Sequence, residues 1–90
     1  FDAHAHLHDT EIAAHFERIV ADAAAAGVTG ICSCGTHPED WPSAQALSMR
    51  RLPLVLVPGF GVHPWYADRL PDAWADKLEG YLDANPVAVV

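Results

Sequence analysis

Apolar positions follow two alternating rhythms along this chain. Leu54 to Phe60 is a short, nearly continuous apolar run and Val28 to Cys34 is apolar or small throughout, the pattern of covered strands, while Phe1 to Leu7 alternates apolar residues with Asp2, His4 and His6 at strand period. Between them, apolar residues recur at helical spacing. Ile12, Phe16, Ile19, Val20 and Ala23 form one stripe; Trp41, Ala44 and Leu47 or Ser48 form a second. Trp74, Leu78, Tyr81 and Leu82 form a third, and Val87 to Val90 opens a fourth strand.

The residues between these runs fit the same division. Asp9 and Thr10 offer side-chain oxygens for a helix N-cap, and Gly27 is placed to end that helix in the left-handed conformation. Pro38 suits a first helical position, with Glu39 and Asp40 near the positive helix end. The second helix is expected to end near Arg50-Arg51-Leu52, before Pro53. Leu70-Pro71-Asp72 begins the third and Asn85-Pro86 stops it. Pro58 weakens the end of the third strand.

The predicted order is β-α-β-α-β-α-β, which implies a parallel sheet covered by helices. Two architectures satisfy it, an open doubly wound sheet and a (β/α)8 TIM barrel. A barrel takes about 250 residues. If the fold is a barrel, residues 1–90 are the N-terminal part of a single barrel domain, close to its first half: three βα units and the start of a fourth strand. The absence of an initiator Met, and ends that fall inside strands, support reading the chain as a piece of a longer protein.

Composition narrows the function classes. Hydrophobic residues make up 51% and charged residues 19%, which excludes a disordered chain. No apolar run approaches the roughly 20 residues of a membrane span, so no membrane partner is expected. No signal-peptide pattern opens the chain. Cys32 and Cys34, the only cysteines, stand two apart in a predicted strand, poor geometry for a mutual disulfide. They read as inert buried thiols in a reducing, cytoplasmic setting. The net charge is −7 with five basic residues, so clustered Lys and Arg cannot supply charge-driven duplex binding. If nucleic acid is the partner, metal ions or further sequence must supply positive charge.

The candidate chemistry is histidine. In an extended Asp2-Ala3-His4-Ala5-His6-Leu7, side chains alternate between faces, so Asp2, His4 and His6 share one. Two imidazoles on successive same-face positions can reach one ion, and neutral imidazole suits zinc, iron, nickel or copper. Asp2 is placed to orient an imidazole from behind. His37 follows the second strand and His63 the third, so both are expected at the rim where parallel α/β folds bind ligands. His8 is expected where the strand becomes loop, and His15 on a helix in solvent. There is no phosphate-cradling glycine loop and no serine elbow.

These residues carry a family resemblance. Asp2-Ala3-His4-Ala5-His6-Leu7 resembles the opening signature of TatD-type metal-dependent hydrolases, within the amidohydrolase superfamily. Gly61-Val62-His63-Pro64 is similar to that family's GxHP loop after the third strand. Ala26-Gly27-Val28-Thr29-Gly30-Ile31 and Gly35-Thr36 resemble its passage into the second strand. The chain departs from the pattern by placing His8 before Asp9.

The resemblance implies a barrel with one or two divalent ions at its C-terminal face, with zinc, manganese and magnesium as candidates. By position, His4 and His6 would be metal ligands and His63 would bind substrate. The bridging Glu, the later His ligands and the Asp near the attacking water would lie beyond Val90. No catalytic residue is therefore expected within this chain. The implied reaction is phosphodiester hydrolysis, deoxyribonuclease-like, on DNA or a small phosphoester, in the intact protein. Its rivals are a PHP-like or other amidohydrolase, and a noncatalytic metal-binding or interaction module. The piece alone is expected to be inactive, and to dimerise, aggregate or fold incompletely.

Overall fold

A computed structural model describes all of residues 1–90. Strand β1 spans Asp2–Ala5, helix α1 Thr10–Ala13, α2 Phe16–Ala25, strand β2 Gly30–Cys34 and helix α3 Trp41–Ser48. Strand β3 spans Val55–Gly59, a single 3-10 turn follows at Pro64–Tyr66, and helix α4 covers Trp74–Ala84. The strands form one parallel sheet in the order β1-β2-β3. Gly59 forms a further parallel bridge to Val89, beside β3. Each strand thus lies next to its predecessor, with no reversal of strand order. That succession is the barrel arrangement and lacks the switch point of a doubly wound sheet. The expected opening part of a (β/α)8 barrel is borne out, including the start of a fourth strand.

Several boundaries differ from expectation. The first helix is broken in two. Asp9 caps α1 by accepting the Glu11 amide at 2.9 Å, and α2 begins after His15, whose φ of −120° leaves the helical region. Gly27 closes α2 with a φ of +96°, a left-handed value that costs a residue with Cβ. The second helix starts at Trp41 rather than Pro38, with Pro42 in its first turn. Pro38 instead lies buried in the loop before it. The strands are shorter than the apolar runs, because those runs continue into buried loop residues such as Leu7, Leu54 and Phe60. Pro58 does sit inside β3. Its missing donor is tolerated there, while its carbonyl accepts the Val89 amide at 3.1 Å.

Two apolar clusters fix the sheet. Leu7, Phe16, Val20, Ile31, Leu54 and Leu56 pack α2 onto the helix-covered side. Trp41, Ala44 and Phe60 pack with Leu78 and Tyr81 from α4. Trp41 is fully buried, and its Nε1–H donates to the Gly61 carbonyl at 2.9 Å. Gly35 is required beside it: a Cβ there would fall 2.7 Å from the Trp41 ring and 3.2 Å from the Gly59 oxygen. The opposite side of the sheet carries Cys32 and Cys34. Val55 lies 63% exposed, so part of the strand surface has no helix over it.

Candidate metal centre

Pairing with β2 places the first histidines. Asp2 pairs with Ile31 and Ala5 with Ser33, so three steps along β1 match two along β2. This extra residue is a bulge. Beyond it, the Leu7 amide donates to the Ser33 hydroxyl at 3.2 Å, holding the chain after the strand.

His4 and His6 come together as expected. Their Nε2 atoms are 3.2 Å apart, with the rings edge to face. The His6 Nδ1–H donates to the Cys34 carbonyl at 2.6 Å. A carbonyl can only accept, so this bond puts the His6 proton on Nδ1 and makes Nε2 an acceptor facing His4. Nitrogens 3.2 Å apart, each about 2.1 Å from one ion, would subtend about 100° at it, between tetrahedral and octahedral values. The pair fits a divalent cation. No group of three or more His, Cys, Asp or Glu that could hold an ion is present, so the candidate donors are the two imidazoles.

Asp2 does not orient an imidazole. Its carboxylate accepts the His4 amide at 3.1 Å and serves the local backbone instead. The orienting group for His6 is the Cys34 carbonyl, which sequence reading missed because a main-chain acceptor leaves no signature.

A cleft of about 360 Å³ contains His4, His6, Cys32, Cys34 and His63. His63 therefore reaches the same cavity as the pair. Its Nδ1 accepts the Trp65 amide at 3.2 Å, so its proton resides on Nε2 as a hydrogen-bond donor. The Trp65 ring stands edge to face with it, 4.7 Å between centroids, and is 77% exposed rather than lying over it as a lid. Burial pushes the Cys32 thiol up to about 11, and neighbouring Cys34 adds to this, so Cys32 stays a neutral thiol. Cys34 is only half-buried and faces the cavity, which departs from the expected pair of inert buried thiols.

A second cavity, about 430 Å³, adjoins the first through His6 and His63 and is lined also by His8, Thr36, His37 and Asp40. His8 does not join the pair. Its side chain is only 6% exposed, and its Nε2–H donates to Asp40 at 2.9 Å. Asp40 also accepts the Thr36 amide at 2.9 Å and the Thr36 hydroxyl. Burial pushes this carboxyl up, but the hydrogen bonds from His8 and Thr36 outweigh it and hold it at about 2. His37 stacks on Tyr66 at 4.4 Å and bonds the Thr36 hydroxyl at 2.8 Å. His15 is exposed, away from both cavities. A larger cleft of about 470 Å³, from His37 to Lys77, includes neither His4 nor His6.

The geometry therefore brings His4, His6 and His63 to one cavity at the carboxyl ends of parallel strands. No helix of the chain is long and apolar enough to cross a membrane. No curated protein matches the sequence. The family model described as TatD related DNase matches residues 1–90, the whole chain, and the protein belongs to that family of hydrolases.

Proposed function

We propose that this chain is the metal-bearing part of a divalent-metal-dependent phosphodiesterase, deoxyribonuclease-like in its reaction. The observation that carries the reading is the imidazole pair, with Nε2 atoms 3.2 Å apart and His6 held by the Cys34 carbonyl. His4 and His6 hold one ion, and a second ion would draw on residues outside this chain. When bound, such an ion supplies Lewis acidity toward a phosphoryl oxygen and acidifies water.

The chain's own residues bind and orient. His63 donates from Nε2 to a non-bridging phosphate oxygen, with its ring fixed by the Trp65 amide. The net charge of −7 leaves phosphate recognition to the ion and to such neutral donors. The general base is a carboxylate supplied by further sequence, as are the remaining ligands. The substrate is DNA or a small phosphoester, and the setting is the cytoplasm.

The test is cleavage of a DNA oligonucleotide and of a bis-aryl phosphate by the protein containing this chain, with added zinc, manganese or magnesium. Ion-dependent turnover that disappears in a His4→Ala/His6→Ala variant of unchanged circular dichroism is the expected result. Turnover that survives in that variant refutes the reading. The lack of a third ligand near the pair favours a second reading for the ninety residues by themselves, a metal-binding module with little turnover.

A further inference from the structure

We propose that Cys34 is the positioning residue of the histidine pair, its thiol exchanging partners so that His4 can change tautomer when an ion binds between the rings. This rests on the metal-binding reading above.

Two groups of one residue touch the two imidazoles on their far sides. The Cys34 carbonyl accepts from His6 Nδ1–H at 2.6 Å. The Cys34 Sγ lies 3.9 Å from His4 Nδ1, and also 3.9 Å from the Cys32 carbonyl. The first contact fixes His6 with a bare Nε2. His4 Nε2 is 3.2 Å from that lone pair, and two lone pairs at this distance repel. Without a cation, His4 therefore carries its proton on Nε2 and donates it to His6. His4 Nδ1 is then an acceptor, and the Cys34 S–H donates to it.

A cation between the rings needs both Nε2 lone pairs. His4 then gives its Nε2 proton to solvent and takes one from solvent at Nδ1, so the ring stays neutral. The new Nδ1–H donates to Cys34 Sγ, and the S–H turns to the Cys32 carbonyl. A thiol can donate in one state and accept in the other. A group that only accepts, or only donates, would serve one state and oppose the second. Cys34 Sγ is the protein partner of His4 Nδ1; the Asp2 Oδ1 atom accepts the His4 amide and not the ring.

The test is nitrogen-15 NMR of the imidazoles with and without zinc, together with zinc affinity by chelator competition. In the wild type, His4 is expected to move from the Nε2–H to the Nδ1–H tautomer on binding zinc, while His6 stays Nδ1–H throughout. Cys34→Ala is expected to lose about tenfold in zinc affinity, the scale of losing a group that orients a ligand, and to leave His4 as a tautomer mixture. Cys34→Ser, whose hydroxyl both donates and accepts, is expected to restore the switch. An unchanged His6 signal in each variant shows that the site is still folded, because its partner is main chain. Equal affinity and the same His4 tautomer change in Cys34→Ala overturn the proposal. So does a Cys34-dependent thiolate charge-transfer band with cobalt(II), which would make the sulfur a ligand. Zinc that leaves both wild-type imidazoles unchanged removes the metal-binding reading itself, and this inference with it.

Discussion

Replacing Asp40 with Asn tests the electrostatics beside the candidate centre. Asp40 precedes α3 but does not cap it; its carboxylate faces back to Thr36 and His8. The lowering of its pKa from 3.8 to about 2 corresponds to about 2 kcal/mol in favour of the folded state. The sign follows from the direction. A depressed carboxyl stabilises fully above its ordinary value of 3.8, and that contribution is lost as pH falls through about 2. The amide of Asn keeps one acceptor for Thr36 but loses the charge and presents hydrogens where His8 and Thr36 donate. Urea unfolding of both proteins is the assay. A deficit of about 2–3 kcal/mol in Asp40→Asn is expected at about pH 5, shrinking by half or more near pH 2. A deficit under about 0.5 kcal/mol, or one that does not change between those pH values, would show that the carboxylate is not held as described.

Other outcomes follow from single features. His4→Ala/His6→Ala is expected to abolish zinc binding in calorimetry with the circular dichroism intact; retained binding places the ion elsewhere. Trp41→Ala should cost about 3–5 kcal/mol, since the ring is fully buried and its indole donor is used. A thermal melt that does not move contradicts that packing. A thiol reagent at neutral pH should label Cys34 and spare Cys32, whose thiol burial raises to about 11, and mass spectrometry reading equal labelling would refute this. The chain of ninety residues should self-associate at micromolar concentration, because Phe1, Val55 and Val90 are 71%, 63% and 82% exposed. Light scattering from a compact monomer would count against it.

The succession of elements was legible because each carries its own period: apolar runs for strands, spaced stripes for helices. Their ends were not. Leu7, Leu54 and Phe60 are apolar for burial, not for pairing, so the runs overstate the strands. The break at His15 lies in an alanine-rich stretch whose composition continues straight through it. For the site, His4 and His6 could be paired from alternation alone. His8 could not be assigned, because its partner Asp40 stands 32 residues away and only the fold brings it near. The Asp2 expectation failed for a local reason: a carboxylate two residues before an amide satisfies that amide first.

The bulge in β1 has a consequence for how the imidazoles keep their place. Beyond it, three fixed points belong to the neighbouring strand: Ser33 opposite Ala5, the Ser33 hydroxyl on the Leu7 amide, and the Cys34 carbonyl on His6. The second strand is thus the ruler against which the first is measured. Trimming or lengthening the chain ahead of Asp2, which pairs with Ile31 and holds the His4 amide, should leave both rings where they are. A substitution at Ser33, far away in sequence and chemically inert, should displace them.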